Sequence, residues 1–379
     1  MIDRPYIEHF HIKGFRSFAD IEFHLQPGAN VLIGANGSGK SNFIRFFEML
    51  SWMLKSRRLA QFIELQGGAG DQLHGGSEKT PILNAEITIL TKEGRNDYQF
   101  ALTHAHPDRL LFTQEAFRFN RKIIDSEAPW QYLENGRQEA RIVEVAQSSY
   151  TDQAPQLNKQ TARTITCLLR NCDVYQFHNT AATSNFMKKW DAGDHSRMRS
   201  DGGNLPAILY WLEQEDLQRY ERICHHVQRV LPGFDSFQIE EQHGKVALRW
   251  RSKYSDKTYG AHLSSDGSLR FFALVTLLNL PVEMLPDMLL LDEPELGLHP
   301  KAVMLIGEMI QSLAQDRQII VATQSPLMVD TFELDQLFVL EMVEGRTELR
   351  TQNVQALQDW LHQFSVGELW QKNLLGGRP

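Results

Sequence analysis

Short apolar runs and two competing periodicities divide this chain. Val31-Leu32-Ile33 is a compact apolar run, read as a strand, and it ends in a glycine-rich stretch. Phe43, Ile44, Phe47 and Leu50 then recur at helical spacing, which predicts a helix directly after that stretch. Gly67-Gly68-Ala69-Gly70 and Gly75-Gly76 predict a mobile loop. Alternating segments at 82–90, 98–104 and 111–119 predict an antiparallel sheet. Residues 125–160 are polar and show no clear period, and residues 161–231 read as mainly helical with a Gly/Asp/Ser-rich break at 191–204. Residues 237–239 and 246–250 return to strands. Met288-Leu289-Leu290-Leu291 and Ile319-Ile320-Val321-Ala322 are continuous apolar runs, as fits strands buried on both faces of a parallel sheet. Residues 337–340 and the region around Leu349 predict a closing hairpin, and residues 354–364 a terminal helix. The order is that of an α/β fold.

The glycine-rich stretch carries chemistry. Gly34-Ala35-Asn36-Gly37-Ser38-Gly39-Lys40-Ser41, followed by Asn42, is a complete G-x-x-x-x-G-K-S loop between a strand and a helix. Glycines let backbone N–H groups turn onto phosphate oxygens, and the helix N-terminus adds the positive end of its dipole. Lys40 is expected to reach the β- and γ-phosphates and the Ser41 hydroxyl to ligate Mg²⁺. The run ending in Asp292-Glu293-Pro294 places two acids at a strand tip. Asp292 is the candidate Mg²⁺ ligand. Glu293 is the candidate general base for a water attacking the γ-phosphate. Taken alone, such acids are more often solvated strand ends; paired with the loop, and followed by Glu295-Leu296-Gly297-Leu298-His299-Pro300, they read as a nucleotide site.

His262-Leu263-Ser264-Ser265-Asp266-Gly267-Ser268-Leu269-Arg270 precedes the acids by about twenty residues and would by itself be a capped helix start. With it in place the chain resembles the RecF/SMC/Rad50-like branch of the ABC-type ATPases. The resemblance aligns Ser265-Asp266-Gly267 with that family's Ser-Gly-Gly signature. It implies that Ser265, with Gly267, contacts the γ-phosphate bound to another subunit. It also implies that Gln324, in Ile319-Ile320-Val321-Ala322-Thr323-Gln324-Ser325-Pro326, stands where the family carries a histidine that contacts the γ-phosphate. A glutamine amide can donate the same hydrogen bond but carries no charge.

The opening around Gly14-Phe15-Arg16-Ser17-Phe18 is similar to RecF- and Rad50-like heads, which implies that Arg16 and Ser17 lie near the nucleotide. Val174-Tyr175-Gln176-Phe177-His178-Asn179 and the ending Gly367-Glu368-Leu369-Trp370-Gln371-Lys372-Asn373-Leu374-Leu375-Gly376-Gly377 resemble compact bacterial ATPases of this branch. That subgroup implies Gln176 as a further Mg²⁺ candidate, a separate Toprim-like nuclease partner, and a setting in phage defence.

The expected fold is an ABC-type P-loop head with a central mixed or parallel sheet, an antiparallel β subdomain and a helical lobe. No sustained heptads are present, so no long coiled coil is expected. One head is expected over residues 1–379. Its parts are a nucleotide-binding lobe at 1–160, a helical insertion with connecting strands at 161–260, and a closing segment at 261–379. About fifty-five residues follow Gln324, too few for a fused Toprim module, so the chain is expected to be an ATPase and not itself a nuclease. The expected cofactors are ATP and Mg²⁺, and the expected assembly is a homodimer or higher homo-oligomer sharing ATP sites. A repair ATPase of RecF type and a nucleotide-switched scaffold with negligible turnover are the alternatives. Glu293 speaks against the scaffold, because a switch needs no general base.

Composition changes this little. The 379 residues are 42% hydrophobic and 23% charged, with a net charge of -8. That balance argues against a protein that simply coats nucleic acid. Local basic clusters, Lys55-Ser56-Arg57-Arg58 and Lys188-Lys189 with Arg197 and Arg199, keep nucleic acid as a candidate partner. Cys167, Cys172 and Cys224 lack metal spacing and fit a reducing cytoplasm. No signal peptide or membrane span is read, because residues 271–291 are broken by Asn279, Pro281, Glu283, Pro286 and Asp287.

Overall fold

The computed structural model describes residues 4–122, 127–148, 156–350, 357 and 360–378. Strands β1 (Tyr6–Phe15) and β2 (Phe18–His24) form a hairpin, and β3 (Ala29–Ile33) leads into the glycine loop. Helix α1 (Lys40–Ser51) leaves that loop, followed by α2 (Leu59–Leu65) and α3 (Ala69–Gln72). Strands β4 (Ile82–Leu90), β5 (Gly94–Ala105) and β6 (Arg109–Arg121) form an antiparallel meander, with β7 (Gln131–Tyr132) on its edge. Because β4 pairs antiparallel with β1, the first sheet runs β2-β1-β4-β5-β6-β7. Next come α4 (Ile142–Gln147), α5 (Gln156–Arg170) and β8 (Cys172–Tyr175).

A smaller region follows: β9 (Trp190–Asp191), α6 (Leu205–Glu215), α7 (Leu217–Val230), β10 (Phe234–Phe237), β11 (Lys245–Val246), β12 (Arg249–Ser252) and β13 (Ser255–Gly260). The chain returns through α8 (Asp266–Leu278), β14 (Met288–Asp292), α9 (Pro300–Leu313), β15 (Gln318–Thr323) and α10 (Pro326–Val329). It ends with the hairpin β16 (Leu337–Val343) and β17 (Arg346–Arg350), then α11 (Val366–Gln371).

The central sheet runs β17-β16-β3-β15-β14-β8, and every pairing except β16–β17 is parallel. Its middle strands β3, β14 and β15 are buried along their whole length, as their unbroken apolar runs require. Alternate side chains enter opposite cores. Val31, Leu289, Leu291, Ile319 and Val321 join one apolar cluster, while Leu32, Met288, Leu290, Ile320 and Ala322 join the other. In the second cluster α1 sets Phe43, Phe46 and Phe47 against Phe10, Phe15 and Phe23 of the hairpin. Each fully buried ring contributes about 1.5–3 kcal/mol, so this packing fixes the helix that leaves the glycine loop.

The architecture is the expected one: mixed central sheet, antiparallel sheet and helices. Local expectations changed in two places. Residues 67–76 contain the helical turn α3, anchored by the fully buried Gln72. The aperiodic stretch 125–160 holds α4 and the start of α5, whose apolar side chains pack with the N-terminal cluster. The boundary expected at 160/161 therefore falls inside α5. The helix expected at 354–364 lies largely outside the described residues. Among the described residues no helix is long and apolar enough to cross a membrane.

Candidate nucleotide site

Four parallel neighbours, β3, β15, β14 and β8, end at one edge of the central sheet. The register pairs Ile33 with Thr323, Ala322 with Asp292, and Leu291 with Tyr175. The glycine loop, Gln324, the Asp292-Glu293 pair and Gln176 therefore emerge side by side. The carboxyl edge of an α/β sheet is where ligands of such folds bind.

The glycine loop has a packed back and an open front. A β-carbon at Gly39 (φ +112) would lie 2.2 Å from Thr347 Oγ1, so only glycine fits against the C-terminal hairpin there. Asn36, Gly37 and Ser41 are exposed, whereas Ser38, Gly39 and Lys40 are buried. Lys40 Nζ donates to the carbonyls of Gly34 (2.6 Å) and Ala35 (3.0 Å), so the ammonium is folded onto its own loop. Burial pushes its pKa down, while Glu293, Asp292 and Glu295 oppose that shift.

Asp292 is buried at its strand tip, and its Oδ2 accepts a hydrogen bond from the Gln176 amide. Burial pushes its pKa up, and Glu293 adds to the rise. The Asp292 carboxylate, the Ser41 hydroxyl at the first turn of α1 and the Gln176 amide oxygen are donors that suit a divalent ion. Glu293 sits at φ +46, a left-handed conformation uncommon for a non-glycine residue. Its N–H donates to Ala322 O at 2.8 Å, and its Oε1 accepts from the Gln324 amide. Strained backbone of this kind collects at functional sites.

Arg16 and Ser17 are committed to protein partners. Arg16 Nε donates to Gln72 Oε1 at 3.0 Å, and Arg16 NH2 donates to Gln66 Oε1 at 3.3 Å. Ser17 Oγ lies 2.7 Å from Thr347 Oγ1 and accepts from Asn42 Nδ2 at 2.7 Å. Thr347 Oγ1 in turn donates to Ser38 O at 2.9 Å. Together these bonds brace the loop from behind.

Ser265 caps α8: its Oγ accepts from Ser268 N (3.2 Å) and lies 2.8 Å from Ser268 Oγ. The signature is tied not to the glycine loop but to the turn after the acids. A β-carbon at Gly267 would lie 2.4 Å from Gly297 O. Arg270 donates to the carbonyls of Phe177 (3.1 Å), His178 (2.9 Å) and Leu296 (3.1 Å). Arg270 thereby ties α8 both to the segment after β8 and to the turn after Glu293.

Sequence reading missed two participants. Glu295 Oε1 accepts from Thr323 Oγ1 (2.5 Å) and Gln324 N (3.0 Å), while its Oε2 is buried without a partner. It lines a 480 Å³ cleft with Asn36, Glu293, Leu296, Gln324 and Ser325. Its presence in the quoted Glu295-Leu296-Gly297 turn was the available signal. Thr347 had none, because it sits in an ordinary hairpin strand. The basic clusters are partly neutralised: Lys55 and Arg197 pair with Asp173, Arg57 with Glu144, and Arg199 with Asp194.

A family model described as "AAA ATPase domain" matches residues 6–228, and one described as "AAA domain, putative AbiEii toxin, Type IV TA system" matches residues 174–330. DNA replication and repair protein RecF of Nocardioides sp. is 39% identical over 67 residues, 18% of this chain and 16% of that protein. RecF of Acidothermus cellulolyticus is 29% identical over 119 residues, 31% of this chain and 29% of that protein. The matches thus span less than a third of those relatives. The fold is similar to the SMC head solved with the C-winged helix domain of ScpA, with TM-score 0.55, 15% identity, and coverage of 93% of this chain and 99% of that one. It is also similar to the Smc head from Pyrococcus furiosus solved with the C-terminal domain of ScpA, with TM-score 0.56, 13% identity, and coverage of 95% and 99%.

Proposed function

The chain belongs to the AAA ATPase domain family, and on that premise we propose that it binds and hydrolyses Mg-ATP as an ABC-type head. The observation that carries this reading is the convergence of Lys40, Gln176, Asp292, Glu293 and Gln324 on one sheet edge. Exposed N–H groups of the Asn36-Gly37 turn and the N-terminus of α1 receive the phosphates. Lys40 exchanges its loop carbonyls for phosphate oxygens and compensates their charge. When bound, Mg²⁺ supplies charge neutralisation at the phosphates, and Ser41 and Asp292, with Gln176, would hold it. Glu293 takes the proton from the attacking water, and the Gln324 amide fixes the carboxylate for that step.

Two copies would sandwich two ATP molecules, with Ser265 and Gly267 of one copy completing the site of the other. The exposed, capped start of α8 supports this, because it presents a hydroxyl and helix N–H groups to a partner. Closure and turnover would gate a separate effector, such as a Toprim-like nuclease, or a nucleic acid, in a cytoplasmic antiviral setting. The RecF segments favour a second reading, a DNA repair ATPase. In either, this chain itself does not cut nucleic acid.

Mg-ATP calorimetry combined with steady-state phosphate release tests the proposal. Binding with multiple turnovers is expected. Binding without turnover would favour the nucleotide-switched scaffold, and no binding by the folded protein would refute the site.

A further inference from the structure

The proposed chemistry makes no use of the run Gly367-Glu368-Leu369-Trp370 to Gly376-Gly377. In the structure this segment joins two parts of the site. At one end α11 packs on α10, the helix that begins just after Gln324. Gly367 N–H donates to Asp330 Oδ1 at 2.7 Å, and a β-carbon at 367 would lie 2.3 Å from Pro326 O. A reciprocal capping box between Ser365 and Glu368 fixes the start of α11. Leu369, Trp370 and Leu375 are fully buried.

At the other end Gly377 lies behind the phosphate loop. Trp370 Nε1 donates to Gly377 O at 2.8 Å, and Gly377 N–H donates to Glu341 Oε1 at 2.6 Å. A β-carbon on Gly377 (φ +56) would lie 2.5 Å from Val339 Cγ1, 3.2 Å from Leu340 O and 3.5 Å from Gly34 Cα. A β-carbon on Gly34 would in turn lie 2.3 Å from Leu340 O. Gly34 is thus closed to any side chain by the Leu340 backbone, and Gly377, held at a positive φ, lies in van der Waals range of both, where a side chain would first meet Val339. Gly34 is the residue whose carbonyl holds Lys40 Nζ.

We propose that residues 365–377 form a positioning brace with two separable ends. Gly377 backs the Gly34 peptide that sets Lys40, and Gly367 with Asp330 fixes the helix that follows Gln324. The buried Trp370 indole is the rigid spacer between them. None of these residues touches substrate; they act through Lys40 and Gln324. The inference rests on the ATP reading above and adds to it the residues that hold its two halves in register.

The test measures Mg-ATP affinity and kcat for wild type, Gly377→Ala, Trp370→Phe and Asp330→Ala, with thermal melting to confirm folding. Gly377→Ala should weaken ATP binding about tenfold, because shifting Gly34 moves the Lys40 ammonium off its charge-assisted contact with the phosphates. Trp370→Phe keeps the ring packing and removes only the N–H donor, so it should weaken binding in the same direction by less. It keeps the test decisive should Gly377→Ala fail to fold. Asp330→Ala should lower kcat about tenfold and leave affinity within about twofold. Wild-type affinity and kcat in all three folded variants would overturn the brace alone. Equal losses in both parameters for every variant would overturn it in favour of a merely structural segment. Wild type that neither binds nor hydrolyses ATP would overturn the ATP reading and the brace with it.

Discussion

Replacing Glu295 tests the site most sharply, because its geometry separates a structural effect from a catalytic one. Its Oε1 accepts from the Thr323 hydroxyl and the Gln324 N–H, and its Oε2 is buried without a partner. Glu295→Ala removes both bonds. Thr323 Oγ1 still accepts from the Ser325 N–H at 3.0 Å, but its own O–H and the Gln324 N–H both lose their acceptor. Leaving a buried donor unmet costs about 1–3 kcal/mol, and two donors are affected here. At an unfolding entropy of about 2.1 cal/mol/K per residue, a chain of 379 residues shifts by roughly 1.3 °C per kcal/mol, so Tm should fall by a few degrees. The same loss frees the Gln324 amide that holds Glu293, so kcat should fall about tenfold, equivalent to about 1.4 kcal/mol. Affinity for Mg-ATP should change little.

Glu295→Gln separates charge from hydrogen bonding. Burial raises the Glu295 pKa in the folded state, and Glu293 adds to the rise. A carboxyl whose pKa is raised on folding contributes stability that is present below its unfolded pKa and lost as pH rises through the folded value. The neutral amide escapes that loss. The Tm difference, Glu295→Gln minus wild type, should therefore grow more positive as pH rises above the ordinary carboxylate range. Melting curves across pH and steady-state phosphate release measure both effects. A Glu295→Ala protein with wild-type Tm and kcat, or a Tm difference that does not grow with pH, would refute the reasoning.

Lys40→Ala should abolish or severely weaken Mg-ATP binding in a folded protein, since a charge-assisted contact is worth about 1.5–3 kcal/mol; calorimetry reads it. Glu293→Gln should bind ATP, slow turnover roughly 10²–10⁴-fold and accumulate a closed dimer on size-exclusion chromatography. Ser265→Arg should bind ATP normally without hydrolysing it, and mixing it with Lys40→Ala should restore partial activity through one intact composite site. Asp292→Asn should abolish turnover yet raise Tm of the nucleotide-free protein at neutral pH, because burial disfavours the charged aspartate; a lowered Tm would contradict that sign. The purified chain, incubated with plasmid, linear and single-stranded DNA and with RNA in Mg²⁺ or Mn²⁺, should show no cleavage.

The sequence by itself determined the local chemistry. The glycine loop, its entering strand and its leaving helix are contiguous, and their requirements are local: glycines where φ is positive, apolar residues at helical spacing, a lysine one step before the hydroxyl. The runs ending at Asp292 and Thr323 were legible for the same reason, since a strand buried on both faces must be continuously apolar. Tertiary structure decided everything that depends on which distant backbones lie side by side. Parallel register set Gln176 against Asp292 and Gln324 against Glu293, across 116 and 31 residues. Packing of the antiparallel β1–β2 turn set Arg16 and Ser17 onto Gln72 and Thr347, and the turn after β14 made Glu295 a buried acceptor instead of a solvated turn residue. Thr347 carries no signature of its own, and Gly377 was legible only as the end of a run that resembles a family tail, without a role. Their importance comes from the space left between Gly34, Gly39 and the C-terminal hairpin, and that space exists only once the sheet has formed.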